Sequence, residues 1–378
     1  MTRVLVLNER DPGHPRAGGA EIHLMEIFSR LAAQGMRITL AASAFPGGAA
    51  RDEARGVRIW RGGSVPLYYA HVARTCARET RRGHFDVVVD CLNKLPFHAP
   101  LYSAVPVLAL CHHLFGATAF QQVAWPIAAG VVLSERLIPR VYRGTPFVVI
   151  SESTRDDLVA RGIDGGQIEV QHPGIRRPEA AALPIAQRAP NVVYLGRLER
   201  YKNVDLLLRA LARVAARVPE VALQIVGEGS DRARLQDVAA ECGVAQRTRF
   251  TGFVGDAERD ALLAGARVCV CPSSKEGWGL TVIEANAVGT PNVTSDAPGL
   301  RDSVRHGETG FLVAEGDEAG FAERIAALLL DDGLSERMSV AARSWSERFD
   351  WERAASQMRA SLEGALAAAG RRQALEST

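Results

Sequence analysis

Along this chain, short runs of consecutive apolar residues alternate with stretches whose apolar positions recur every three or four residues. Residues 3–7, RVLVL, are such a run and predict a strand buried on both faces of a parallel sheet. A polar loop follows and ends in Gly18-Gly19, after which Leu24, Ile27, Phe28 and Leu31 share one helical face. Gly35 supplies a stop, and residues 38–42 predict the next strand. Strand, glycine-bearing turn, helix and strand make a βαβ unit. Further apolar runs at 86–90, 105–110 and 146–150 extend it into a doubly wound pattern. The alternation restarts at 192–195, with Val204, Leu207, Leu208 and Leu211 forming a helix face and strands predicted at 221–226, 249–251, 268–271, 291–294 and 310–313. Two such halves predict an α/β protein of two Rossmann-like domains, with ligands held in the cleft between them at the carboxyl ends of the strands. The expected boundaries are 1–178, a linker at 179–190 (EAAALPIAQRAP, with two prolines and no strand pattern), 191–350, and a closing helix over 351–378.

Composition narrows the classes. A length of 378 residues suits two domains, and 47% hydrophobic residues exclude a disordered chain. The longest apolar stretch, residues 123–133, has eleven residues and contains a proline. A bilayer span needs ~20. The apolar run near the N-terminus is too short for a signal peptide, so a cytoplasmic location is expected. The six cysteines (76, 91, 111, 242, 269, 271) show no CxxC spacing and read as small buried hydrophobes. Residues 1–178 carry 21 basic and 15 acidic side chains, whereas 179–378 carry 24 and 28. A mildly basic first half fits an anionic partner, a membrane surface or an ordinary solvated surface. No basic block interleaved with aromatics points to nucleic acid. Residues 121–145 are apolar and then arginine-bearing, which suits either a helix buried in the first domain or one resting on a membrane.

The strongest chemical signal is PSSKEGWGLTVIEANAVGTPNVTSD, residues 272–296. A strand ends at Pro272, a turn carries Gly277 and Gly279, and a helix is predicted from Leu280 through Thr281 to Val288. Glycines let an anion approach the backbone, and the free amides of the helix start suit a phosphate. Glu276 precedes that site and Glu284 follows two helical turns later, so each carboxylate can accept sugar or ribose hydroxyls or simply lie solvated. GRLERYKN places Gly196, Arg197 and Lys202 after the first strand of the second half. Two cations there would neutralise a departing diphosphate through charge-assisted hydrogen bonds, or form a salt bridge at the start of a helix. In CHHLFG, His112 follows an apolar run and would sit at a strand's carboxyl end. His113 and a Cys-His-His metal set are its competitors, but no further ligand stands at a recognised spacing.

The 272–296 stretch resembles the signature of retaining glycosyltransferases with the GT-B fold, specifically glycosyltransferase family 4, and other segments fall in that family's order. These are GRLERYKN, VGEGS (226–230), TGFV (251–254), GETGFLV (307–313), Gly18-Gly19-Ala20-Glu21, SESTRDDL (151–158) and the helix from Trp351. The resemblance covers nearly the whole chain. It implies that Glu276 meets hydroxyls of a donor sugar, Glu284 the ribose of a nucleotide, and the amides around Gly279, Leu280 and Thr281 the diphosphate. It further implies that Phe253 and Val254 lie near the base, chiefly through their backbone. Gly18, Gly19 and Gly227 line the ligand, and His112 donates to a sugar hydroxyl. The co-substrate would be a nucleoside diphosphate sugar used without a metal, and the last helix would cross back onto the first domain. Three positions depart from the family pattern: Arg176 replaces a customary aspartate, Asn292 interrupts an apolar strand, and Trp278 stands for phenylalanine.

Two other classes are compatible with such a fold. A nicotinamide-dependent oxidoreductase would want GxGxxG after its first strand, which residues 8–19 lack, and Arg232 stands where the third glycine after Gly227 and Gly229 belongs. A non-catalytic nucleotide- or glycan-binding relative would have lost Glu276, Arg197 or Lys202, and all three are present.

Overall fold

A computed structural model describes residues 1–64, 67–93, 95–121, 124–178 and 183–376. The chain forms two compact units, Met1–Gly174 with Asp350–Thr378, and Ile175–Phe349.

In the first unit the elements run β1 (Arg3–Leu7), α1 (Gly19–Ala33), β2 (Arg37–Ala42), β3 (Arg51–Ala54), β4 (Val57–Arg61), α2 (Tyr68–Arg81), β5 (Val87–Leu92), β6 (Val107–Cys111), α3 (Trp125–Arg136), α4 (Ile138–Val141), β7 (Phe147–Val149), α5 (Glu152–Ala160) and β8 (Ile168–Val170). The sheet order is β3-β4-β2-β1-β5-β6-β7-β8, parallel except for the β3–β4 hairpin. Strand order therefore reverses direction between β1 and β5. Val4, Leu5, Val6 and Leu7 are all at most 1% exposed, as a strand covered on both faces requires. The hairpin escapes the apolar pattern because β3 is RDEA, and its two-residue turn uses Arg55 and Gly56, both at positive φ.

The second unit runs β9 (Asn191–Leu195), α6 (Val204–Ala215), β10 (Ala222–Val226), α7 (Arg232–Glu241), β11 (Thr248–Gly252), α8 (Asp256–Gly265), β12 (Val268–Cys271), α9 (Leu280–Ala287), β13 (Asn292–Ser295), α10 (Leu300–Ser303), β14 (Gly310–Val313), α11 (Glu318–Leu330) and α12 (Asp332–Ser346). Its sheet is wholly parallel, in the order β11-β10-β9-β12-β13-β14, and reverses direction between β9 and β12. The predicted α6 face is buried to 0–1% at Val204, Leu207, Leu208 and Leu211. Asn292 fits its buried strand because its amide donates to Asn286 Oδ1 at 2.7 Å. Trp278 is buried with its ring edge-to-face on Phe349.

The last helix, α13 (Trp351–Glu376), belongs to the first unit, as the resemblance implied. Trp351, Ala354, Ala355, Met358 and Leu362 join Leu24, Ile27, Phe28 and Leu31 of α1 in one hydrophobic cluster on the sheet. The chain leaves the first unit at Gly174, earlier than the linker expected at 179–190. Residues 179–182 lie outside the described residues, and 183–190 pack within the second unit. Arg188 is the reason: only 4% exposed, it donates to Ala266 O and Thr290 Oγ1 at 2.8 Å and to Val288 O at 3.0 Å. This buried arginine, together with fully buried Ile185, anchors a segment that has no periodicity.

The 121–145 segment does not form a fully buried helix. Of α3 only Ala128, Val131 and Glu135 are buried, while Trp125, Ile127 and Leu133 are 74%, 58% and 62% exposed. Residues 122 and 123 lie outside the described residues. No described helix is long and apolar enough to cross a membrane. All six cysteines are free thiols, and every one except Cys242 is buried.

Candidate active site

In an open parallel sheet, two neighbouring loops diverge where strand order reverses, and that point of the second unit lies between β9 and β12. The loop after β9 holds Gly196, Arg197 and Lys202, and the loop after β12 holds Glu276, Gly277 and Gly279. The two loops are hooked together. Ser274 N–H donates to Tyr201 O at 3.0 Å, Asn203 Nδ2 donates to Pro272 O at 3.1 Å, and Lys202 Nζ forms an ion pair with Glu276 Oε1. Lys202 and Glu276 side chains are 12% and 19% exposed. Burial alone would weaken the Lys202 charge, but the Glu276 carboxylate, with Tyr201 and Cys271, outweighs it and holds the ammonium above its ordinary range. Arg197 differs: it is exposed, its guanidinium reaches Tyr201 Oη at 3.4 Å as its one hydrogen-bond partner among the described residues, and its carbonyl accepts from Tyr194 Oη at 2.9 Å.

Gly279 precedes α9 with φ +94, and a Cβ there would come within 2.8 Å of Ser303 Oγ. Glycine thus lets the backbone turn, presenting the amides of Leu280 and Thr281 in a first turn where the helix has no acceptors for them. Gly227 is a second forced glycine, since its Cβ would fall 2.0 Å from Gly196 O. Its N–H donates to Gly252 O at 2.8 Å, which draws the loop after β10 against the one after β11. Phe253, next in that loop, is 88% exposed, whereas Val254 packs partly against the core.

Glu284 lies in a group of charges that the sequence does not reveal. Arg259 Nη1 lies 3.7 Å from Glu284 Oε1, and Arg259 also pairs with Asp256 at 3.0 Å and Asp260 at 3.2 Å. Arg176, in place of the family's aspartate, closes the group by pairing with Asp260 and lying 3.8 Å from Asp256. Burial pushes the Glu284 carboxyl up to about 6; Arg259 opposes the rise, and Asp260 and Asp256 add to it. Asp256, Arg259 and Asp260 occupy helical i, i+3, i+4 positions, an ordinary surface pattern that carries no signal of a site.

The first unit's own reversal point holds the glycine loop. Gly18 N–H donates to Glu21 Oε2 at 2.7 Å, which leaves the amide of Gly19 as the first one free of the helix. Asn8, buried beside it, donates to Glu21 Oε1 at 3.3 Å and accepts from Asn93 Nδ2 at 2.5 Å across the reversal. The buried Arg61–Asp11 pair, at 2.7 and 2.8 Å, fixes the 8–17 loop. His112 follows β6, is 3% exposed, and has its Nε2 3.1 Å from Nδ1 of His23 on α1. His113 is half-buried and meets the Phe115 ring edge-on.

Comparison with known proteins identifies the family and the fold. The profile of glycosyl transferases group 1 matches residues 176–345, and that of glycosyltransferase family 4 matches residues 17–177. The chain is 28% identical to D-inositol 3-phosphate glycosyltransferase of Streptomyces scabiei, over 91% of this chain and 86% of that one. It is 29% identical to the GDP-mannose-dependent alpha-(1-6)-phosphatidylinositol monomannoside mannosyltransferase of Mycobacterium tuberculosis, over 96% and 99%. In fold it matches Anabaena HepE, solved in complex with UDP-glucose, with a TM-score of 0.75 at 20% identity over 96% of this chain and 100% of that one. Two parallel sheets that each present their glycine loops at a reversal point, a long last helix returned to α1, and both family profiles lead to one conclusion: the chain is a family 4 glycosyltransferase of the GT-B fold, a group 1 enzyme that transfers sugars from nucleotide sugars.

Proposed function

We propose that the chain is a retaining hexosyltransferase that moves a hexose from a nucleoside diphosphate sugar to a hydroxyl acceptor, without a divalent metal. The observation that carries this reading is the Lys202–Glu276 pair beside the free amides of α9, with Arg197 exposed next to it. An anion-binding helix start with two cations meets the charge that develops on a departing diphosphate. Glu276, paired on Oε1, keeps Oε2 for a sugar hydroxyl. Glu284 would accept from the ribose, and Phe253 would lie by the base. In the reaction the bond from C1 to the β-phosphate oxygen breaks, and C1 bonds to the acceptor oxygen on the same face. The acceptor's proton passes to the departing phosphate. The first unit would supply His112 and the amide of Gly19, and its loops 8–17, 60–72, 93–100 and 112–122 would choose the acceptor (residues 65, 66, 94 and 122 lie outside the described residues).

The reading is tested by slow hydrolysis of a panel of nucleotide sugars, which needs no acceptor, followed by calorimetry of two variants. Glu276→Gln is expected to lower hydrolysis strongly while binding free diphosphate like the wild type. Glu284→Gln is expected to weaken diphosphate and intact sugar nucleotide alike, by about 1.5–3 kcal/mol. Equal diphosphate losses in both would overturn the division of roles.

The chain is further proposed to act in the cytoplasm against an anionic membrane surface, through α3. That helix exposes Trp125, Ile127 and Leu133, and Arg136, Arg140 and Arg143 are exposed along and just after it. Glu135, the sole acid between residues 116 and 145, is 1% exposed and turned inward to the amides of Phe115 and Gly116 at 2.7 and 2.9 Å. Apolar side chains with cations and no exposed acid complement anionic headgroups.

A further inference from the structure

The structure assigns His23 a role that neither the glycine motif nor the family resemblance gave it: it is a positioning residue that fixes which nitrogen of His112 faces a ligand and which of its nitrogens carries the proton. This rests on the reading that His112 donates to a sugar hydroxyl. His23 sits on the first turns of α1 and is 2% exposed. Its ring meets that of His112 edge-on, with centroids 5.0 Å apart and planes at 89°, and Trp351 backs it at 5.9 Å. The His112 carbonyl is held separately, accepting from Thr154 Oγ1 at 3.3 Å.

The contact occupies one nitrogen of each ring. Burial keeps both imidazoles neutral, so each has one N–H and one bare nitrogen. At 3.1 Å, one of His23 Nδ1 and His112 Nε2 must donate and the other accept. His112 Nε2 is therefore spent inside the protein. Its Nδ1 is buried and has no hydrogen-bond partner among the described residues, so it is the ring atom left for a ligand. For Nδ1 to donate to a hydroxyl, the proton must sit there and Nε2 must be bare. His23 then supplies the shared proton from its own Nδ1, holding His112 in the Nδ1–H tautomer. Without this contact both nitrogens compete for the proton, and part of the population offers a hydroxyl no donor.

The test is nitrogen-15 spectroscopy of histidine-labelled enzyme, which reads tautomers directly and needs no activity, with the His112 signals identified by their loss in His112→Gln. Wild-type His112 is expected as Nδ1–H, and His23→Phe, which keeps a ring against Trp351, is expected to move it toward Nε2–H. Hydrolysis of the sugar nucleotide should fall about tenfold or more in kcat for His23→Phe while diphosphate affinity is unchanged. His23→Asn, whose amide reaches the place of Nδ1 and can donate, should recover most of that loss. A wild-type His112 protonated on Nε2 overturns the proposal, as does a His112 spectrum identical in wild type and His23→Phe, or full turnover in His23→Phe. Should His23→Phe fail to fold, the wild-type spectrum and His23→Asn decide. Wild-type hydrolysis in His112→Gln would instead remove His112 from the site and defeat the reading beneath.

Discussion

Arg197 and Lys202 look equivalent in GRLERYKN, yet their surroundings separate them. Arg197 is exposed with one long contact, whereas Lys202 is part of a half-buried ion pair that holds two loops together. Both alanine variants should lose about 10²-fold in turnover if, as proposed, each cation meets the leaving group. Only Lys202→Ala should also lower the melting temperature, because it strands Glu276; Arg197→Ala should melt like the wild type. A thermal scan beside the hydrolysis assay checks both, and full turnover in either variant removes that cation from the site. Glu284 adds a pH dependence. Its carboxyl is raised to about 6 by burial, so it is ionised at neutral pH and protonates as pH falls through that value. Diphosphate binding that relies on the carboxylate should then weaken by up to about tenfold between pH 7 and 5. The Glu284→Gln variant should lose this component, leaving only the ligand's own titration, and calorimetry across that range measures the difference. The places of Glu276, in the loop after β12, and Glu284, on the helix after it, were legible from the residues, whereas the roles proposed for them came from the family resemblance. Arg259 and Arg176 were not legible, because a site charge and a surface charge have the same letter, and only packing brings residues 176, 259 and 284 together.

At the scale of elements, the central parallel strands and α6 were readable because burial on one or both faces leaves a period in the sequence, whereas β4 and the three-residue β8, also parallel, were not read. β3 left none, being polar and at the edge of the sheet, whereas β4 alternates buried Val57 and Ile59 with exposed or half-buried neighbours over only five residues. The α3 helix was ambiguous because an apolar run looks the same whether protein or lipid covers it. Its exposed residues make a distinct expectation: the protein should sediment with vesicles containing phosphatidylglycerol and not with neutral phosphatidylcholine vesicles. Trp125→Ser with Leu133→Ser should abolish this without changing the melting temperature, and each of Arg136→Gln, Arg140→Gln and Arg143→Gln should cost about 1 kcal/mol. Failure to sediment, or a dimer in solution that the serine variant dissolves, would assign α3 to a second copy instead.

The whole molecule is two units of which only the second is continuous in sequence. Two successive βα alternations made that division visible, but the crossing at Gly174 was not, because the segment after it is held by two buried residues without a period, Ile185 and an Arg188 that donates to backbone carbonyls and Thr290 Oγ1. The second unit has its own core, built on α6, α11 and the sheet, so residues 175–349 produced alone should fold and bind diphosphate. Residues 1–349 should instead be poorly soluble, since they keep α1 and lose the helix that covers it; a soluble, cooperatively melting product would refute this. The placement of α13 also sets an order of events during synthesis. Domains usually close in the order in which they leave the ribosome. Here the first unit must wait, with Leu24, Ile27 and Leu31 lacking their cover, until residue 362 has been made, while the later-born second unit completes before it. The first unit is thus the last to mature, and a chain interrupted late in translation would carry a finished second unit on an unfinished first one.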